Sequence, residues 1–438
     1  MNVMSAAMLV RVSAAAAAGF CAYASADTTA DAVLGQPNFT SMVANYPAGT
    51  PSASNLALSN AAHVAIGPDG RLYVSDADNS RVLSWPSATS FMTGAAADLV
   101  IGQPDFASND FNNGGISARS LALPQGLCVD ETGDLWIADA FNCRVLRYDN
   151  PAVFDAEADQ VIGQPDFISN EMNMGGGQTA PDVARRDSLL FPGRVVVRAG
   201  NVIVADSGNS RVLLYRSPTV NTPLADKVWG QYGSFTCRAK NNDGACHDFG
   251  PPTAETLYNP IGITLDAAGR LWVADWNNHR VLWFDDAIAG DTVADGVLGQ
   301  ADFSGSIANA GGSPGPATFN LPIDLTFAGG GELLVADAAN NRVLAFRRPT
   351  LPGAAASMVF GQLGGFSGGA PNHGLGFFET DADGLFGPTG LALDRAGNLI
   401  VADTNNQRVL RFNTPLRSPR PTGPAGPLSP LSIRAYVP

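Results

Sequence analysis

VADWNNHRVLWF, residues 273–284, is one of six copies of a single phrase: an aliphatic run ending in Asp, a short turn, and an Arg that opens a second run. The others are VSDADNSRVLSW (74–85), IADAFNCRVLRY (137–148), VADSGNSRVLLY (204–215), VADAANNRVLAF (335–346) and VADTNNQRVLRF (401–412). The shared core is DxxNxRVL, with Asp at 76, 139, 206, 275, 337 and 403, so the intervals are 63, 67, 69, 62 and 66 residues. Self-similarity at a near-fixed period marks a repeat architecture. A length of 438 residues would allow two or three ordinary domains, but the repeat spans nearly all of it and argues for one closed unit.

Each repeat holds four strand candidates. In the last one, GLALD (390–394) is followed by the turn RAGN, then LIVAD (399–403), the turn TNNQ, and RVLRF (408–412). The fourth candidate is a VxGQ phrase after the third, at 100–103, 161–164, 228–231, 297–300 and 359–362. Four short antiparallel strands make one propeller blade. The sixth copy has no VxGQ after it, whereas an orphan VLGQ stands at 33–36, ahead of the first repeat. That orphan predicts a clasp in which the N-terminal strand completes the last blade and leaves no free edge. Gly 48 and Pro 30, with short β-branched and aromatic runs between turn residues and no long stretch of helical periodicity, agree with an all-β chain. The expected fold is a six-bladed β-propeller of four-stranded antiparallel blades.

The formal charge of −14 and the absence of a basic stripe argue against a nucleic-acid partner, since phosphate neutralisation by Lys and Arg supplies most non-specific affinity. Residues 1–26 read as a secretory signal peptide: an Ala-rich run over 12–24 behind Arg11, with Ala24, Ser25 and Ala26 as the small-residue cleavage site. The run is shorter than the roughly 20 residues of a membrane span. Phe20 stands where a lipobox needs a small residue, which disfavours lipid anchoring through Cys21. The expected organisation is a signal peptide (1–26), the propeller (27–414) and a Pro-rich, disordered tail (415–438) that carries Arg417, Arg420 and Arg434, with export to the periplasm or the medium. Four cysteines remain after cleavage. Cys237 and Cys246 bracket a short polar loop and are expected to form a disulfide. For Cys128 and Cys143 two readings stay open: a pair, if the blade sets them side by side, or two free thiols.

The recurring GLALD, GNLIVAD and NNRV phrases resemble the NHL-repeat family of β-propellers over roughly residues 33–412. The period of this chain is longer than that family's 40-odd residues, and the excess lies between each VxGQ and the next innermost strand. Among six-bladed relatives the resemblance admits metal-dependent lyases and hydrolases with calcium or zinc near the central channel. The zinc histidines of the NHL-type peptidylglycine lyase follow the Pro of the innermost strand, where this chain has Gln125, Ile261, Ile323 and Thr389. His63 falls one position later, and His247, His279 and His373 lie in turns or insertions, so a three-His zinc site is not expected. RNA binding, as in some tripartite-motif NHL domains, is disfavoured by the charge.

The repeated triplets are Asp76, Asn79 and Arg81; Asp139, Asn142 and Arg144; Asp206, Asn209 and Arg211; Asp275, Asn278 and Arg280; Asp337, Asn340 and Arg342; and Asp403, Asn406 and Arg408. They read as a structural device, because a single active site has no use for six copies. Asp would accept turn amides, Asn would take the left-handed backbone, and Arg would pair with Asp or a neighbouring blade. The long insertions open alike, with Phe39, Phe106, Phe167, Phe235, Phe303 and Phe366 expected to tuck each loop onto its blade, and then diverge. In an alternating blade these insertions share one face with the DxxNxR turns. That face is the expected binding surface for a protein, peptide or glycan. No Ser, His and Asp grouping can be argued from the repeat geometry, and no Gly-rich phosphate loop with a following Lys occurs; Gly175 to Gly177 lack both Lys and helix. No catalytic residue and no cofactor is assigned. Calcium is allowed through Glu379, Asp381 and Asp383 at alternate positions before Gly384, but the closing Glu of a full calcium loop is missing and a solvated acidic loop is the preferred reading. The alternative function is an extracytoplasmic metal-dependent hydrolase or lyase with an axial cation.

Overall fold

The computed structural model describes residues 27–47, 58–153, 155–174, 183–351 and 353–416. Asp27–Pro415 form one compact unit. The signal-peptide reading and the tail from 417 on, like Gly175 to Gly177, therefore lie outside the described residues.

A short strand β1 (Ala32–Leu34) comes first in the chain. Blade one holds β2 (Ala61–Ile66), β3 (Leu72–Asp76), β4 (Arg81–Trp85) and β5 (Leu99–Ile101). Blade two holds β6 (Pro124–Val129), β7 (Leu135–Asp139), β8 (Arg144–Tyr148) and β9 (Gln160–Ile162). Blade three holds β10 (Arg194–Arg198), β11 (Asn201–Asp206), β12 (Arg211–Tyr215) and β13 (Lys227–Trp229). Blade four holds β14 (Pro260–Leu265), β15 (Leu271–Asp275), β16 (Arg280–Phe284) and β17 (Gly296–Leu298). Blade five holds β18 (Pro322–Phe327), β19 (Leu333–Asp337), β20 (Arg342–Phe346) and β21 (Met358–Phe360). Blade six holds β22 (Pro388–Leu393), β23 (Leu399–Asp403) and β24 (Arg408–Phe412), with β1 as its outer strand. Ala32, Val33 and Leu34 pair antiparallel with Arg411, Leu410 and Val409. Asn413 N–H donates to Asp31 at 2.7 Å, beside the sheet in which the first described strand pairs with the last.

The second strand of each blade is buried on both faces, which explains runs such as LWIAD and NVIVAD in place of strict alternation. The core lies between blades. Ile101 of blade one packs with Leu127, Leu135 and Tyr148 of blade two, and Trp272 of blade four with Leu325, Leu333 and Phe346 of blade five.

The Gly of each VxGQ phrase is demanded by this packing. Gly163 has φ +92°, and a Cβ there would meet Leu189 at 2.6 Å and the Cys143 carbonyl at 3.0 Å. Leu189 is fully buried and has nowhere to retreat. Gly163→Ala is expected to cost about 1–3 kcal/mol, read as a lower urea midpoint with an unchanged slope.

Candidate functional site

The DxxNxR turns are built alike. Asp ends the second strand, three residues such as Ala77–Asn79 form a turn of 3-10 helix, and the next residue takes positive φ before Arg opens the third strand. The left-handed residues are Ser80, Cys143, Ser210, His279, Asn341 and Gln407. The Asn expected to fill that role sits one residue earlier, and its side chain does the work. In blade four, Asp275 Oδ1 accepts the Tyr258 amide, and Oδ2 accepts Asn278 Nδ2 and Arg280 Nε, each at 2.7 Å. Arg280 Nη2 donates to the Thr253 and Thr256 carbonyls at 3.0 and 2.9 Å, and Nη1 to the Phe303 carbonyl. Asp275 and Arg280 are wholly enclosed, as are the other five Asp and Arg pairs. Burial pushes the carboxyls of Asp76, Asp139, Asp206, Asp337 and Asp403 above their usual range, against the pull of the Arg beside each.

Each insertion contributes a second residue that the sequence reading missed. Asn45, Asn112, Asn173, Asn241, Asn309 and Asn372 all have φ near 50° and lie six positions after the anchoring Phe. Their side chains exchange amide hydrogen bonds with the turn Asn of the following blade, as between Asn241 and Asn278 at 2.9 and 2.8 Å. The same exchange joins Asn45 to Asn79, Asn112 to Asn142, Asn173 to Asn209, Asn309 to Asn340 and Asn372 to Asn406. The first half of every insertion is therefore part of the repeat. Free variation begins only after this Asn, in segments such as 113–120, 242–256, 310–318 and 373–384.

The face that bears the insertions and the DxxNxR turns also carries exposed aromatic side chains. Phe111 (55% exposed) stacks on Phe141 (54%) at 6.1 Å, and Phe141 lies 6.1 Å from Phe191. Phe378 is 91% exposed, with Phe377 beside it and Phe249 on another insertion also open to solvent.

A different constellation sits at the axis. The third residue of the innermost-strand phrase alternates around the ring: His63, Gly126, Arg194, Gly262, Asp324, Gly390. A Cβ at Gly126 would lie 2.7 Å from Arg194 Cα, at Gly262 2.8 Å from Asp324 Cα, and at Gly390 2.7 Å from His63 Cα. The glycines let the neighbouring strand press in, and the three larger side chains fill the centre. Arg194 donates through Nε to Asp324 Oδ1 at 3.1 Å, and its Nη2 lies 2.9 Å from that oxygen and 3.0 Å from the Thr389 carbonyl. Asp324 Oδ2 accepts the Leu391 amide at 2.7 Å and lies 3.4 Å from His63 Nε2. His63 Nδ1 accepts the Leu127 amide at 3.0 Å. That bond fixes the tautomer with the proton on Nε2, facing Asp324.

The three axial residues are 7%, 3% and 2% exposed in the order His63, Arg194, Asp324. Burial, with Arg194 nearby, pulls the His63 imidazole down to about 4. Burial pushes the Asp324 carboxyl upward, but Arg194 and His63 outweigh it and hold the group below its usual range. Both ring nitrogens of His63 are engaged, so the imidazole is a structural link and not a free base. Ring closure brings Asp324 and Arg194 to His63 from blades five and three.

Cys237 and Cys246 form a disulfide with Cα atoms 5.4 Å apart. Cys128 and Cys143 are free thiols, which decides between the two readings. Cys128 pairs with Trp136 in the middle of β6 and β7, whereas Cys143 precedes β8, so β7 stands between them. Glu379, Asp381 and Asp383 do not converge on a point, and no cluster of three metal-ligating side chains occurs among the described residues. Asp381 receives the amides of Asp383 and Gly384 and faces His373 Nε2 at 3.0 Å, while Asp383 accepts the Thr29 hydroxyl. No helix among the described residues is long and apolar enough to cross a membrane.

The family model described as "NHL repeat" matches residues 121–148, 257–284 and 387–412. These are the first three strands of blades two, four and six, the blades with Gly at the axis. Protein brain tumor of Drosophila melanogaster is 29% identical over 178 residues, 40% of this chain, and the match spans 12% of that relative's length. Among solved structures, a streptogramin B lyase is similar with a TM-score of 0.44 at 11% identity, covering 83% of this chain and 96% of the other. A hydrazine synthase of Kuenenia stuttgartiensis is similar with a TM-score of 0.45 at 12% identity, covering 84% and 99%. The blades outside the matched stretches are built on the same buried Asp, Asn and Arg turn as those inside them, and the chain belongs to the NHL-repeat β-propellers.

Proposed function

We propose that this chain is an exported, rigid binding module whose insertion-bearing face takes a protein partner through exposed apolar side chains. The observation that carries the reading is the aromatic surface of Phe111, on one insertion, and Phe141, on the adjoining DxxNxR turn, with Phe377 and Phe378 on another insertion. Exposed aromatic groups on a scaffold this heavily hydrogen-bonded cost solubility and contribute nothing to the core. Phe offers no hydroxyl or N–H, which favours an apolar protein or peptide segment over a glycan. Export is supported by the Cys237–Cys246 disulfide together with the Ala-rich stretch before Asp27; N-terminal sequencing of protein recovered from outside the cytoplasm is expected to begin at Asp27.

The test of the face is a peptide-display selection on the native protein, repeated with a Phe111→Ser, Phe141→Ser, Phe378→Ser variant. The selected peptides are expected to lose at least tenfold in affinity for the variant while its circular dichroism is unchanged. Equal affinity for both proteins sinks the reading. An axial cation held by carboxylates fits less well, because the guanidinium of Arg194 already neutralises Asp324 at the centre.

A further inference from the structure

The axial residues also close one end of a cavity. Beneath them is a space of about 210 Å³ lined by His63, Arg194, Asp324, Cys128, Thr264 and Thr326. It shares Val129, Val196 and Thr264 with a wider mouth of about 500 Å³ between the turns that join first and second strands, where Glu131, Arg198, Asp266 and Arg395 stand. The opening is thus on the face opposite the insertions. At about 30 Å³ per water, the inner space holds a molecule of roughly seven to ten non-hydrogen atoms.

The polar atoms at its closed end are unequally satisfied. All of Asp324 is engaged: Oδ1 by Arg194, Oδ2 by the Leu391 amide and His63. Arg194 spends Nε and Nη2 on Asp324 and the Thr389 carbonyl, and its Nη1 hydrogens take no acceptor from the described protein. Arg194 is almost wholly enclosed, since only 3% of it is exposed. A buried guanidinium with a free edge in a cavity calls for an acceptor, and an anionic one gives the strongest bond. The hydroxyls of Thr264 and Thr326, on the same wall, make no hydrogen bond with the described protein and can donate to the same group.

We propose that this closed end binds a small carboxylate, its oxygens taking the Nη1 hydrogens of Arg194 and the Thr264 and Thr326 hydroxyls. The site is independent of the insertion face. Calorimetric titration of the full chain with acetate, against acetamide as a neutral match, tests it, and Cys128 reports the location. Acetate is expected to bind saturably and at least fivefold more tightly than acetamide. It is also expected to slow the reaction of Cys128 with methylmercury, read by mass spectrometry of the Cys128 peptide. Thr264→Val and Thr326→Val, which leave the ionic contacts in place, are each expected to weaken acetate at least threefold. Arg194→Lys keeps the charge beside Asp324 and removes the free fork, and is expected to abolish the preference for acetate if the variant folds. Equal binding of acetate and acetamide, absence of saturation, unprotected Cys128, or unchanged affinity in both Thr variants overturns the proposal.

Discussion

Asp275→Ala is expected to destabilise the protein by about 3–5 kcal/mol, the cost of leaving a buried partner charge uncompensated. The carboxylate accepts three hydrogen bonds at 2.7 Å, and its removal leaves Arg280 with an unpaired Nε in a site with no solvent. The loss extends past one turn. Arg280 Nη1 and Nη2 hold the insertion carbonyls of Phe303, Thr253 and Thr256, so the variant is expected to expose the 242–256 segment and the 300–310 segment to proteolysis together. Urea unfolding of the variant and limited proteolysis read the two effects. A change below about 1 kcal/mol, the range of a surface ion pair, refutes the structural assignment of the DxxNxR turns.

Acid is expected to loosen the ring through His63. The imidazole is held at about 4 in the folded chain, against 6.5 when unfolded, by burial and by Arg194. Because the folded value is depressed, the contribution is fully present above pH 6.5 and is lost as pH falls towards 4. Across that window the loss is about 3 kcal/mol, because a proton that binds the unfolded chain and not the folded one shifts the balance by about 1.4 kcal/mol for every pH unit. Protonated His63 would face the Arg194 guanidinium, with Asp324 shared between them. His63→Asn keeps an acceptor for the Leu127 amide without the titrating group. The difference in urea stability between wild type and His63→Asn is expected to shrink or reverse between pH 7 and pH 4, which isolates His63 from the carboxylates common to both proteins. A constant difference across the window rules out the depressed imidazole.

Blade number, strand number and the order of strands within a blade were legible because all of them repeat. A phrase such as DxxNxRVL fixes its own local geometry through contacts within a few residues: Asp275 to Asn278, Asp275 to Arg280. The anchoring Phe was legible for the same reason. Asn45, Asn112, Asn173, Asn241, Asn309 and Asn372 were equally regular, six residues after each Phe, but the flanking residues vary and the spacing carries meaning only beside the partner Asn, more than 30 positions away in most blades. Glu379, Asp381 and Asp383 offered oxygen ligands at alternate positions, but alternation along a sequence is not convergence in space. In the fold, Asp381 caps local amides and Asp383 takes a neighbouring hydroxyl.

A closed ring of six four-stranded blades and the pairing within the Asp, Asn and Arg turns follow from the repeats alone, since these depend on interactions that recur at every period. What stands at the axis does not. His63, Arg194 and Asp324 are 131 and 130 residues apart, and none of them stands out in its own strand. Ring closure at β1 and β24 brings every innermost strand to one line, where any side chain larger than a hydrogen atom must share space with its neighbours. Three glycines and three charged or polar side chains are one packing solution to that crowding, and it depends on the ring as a whole.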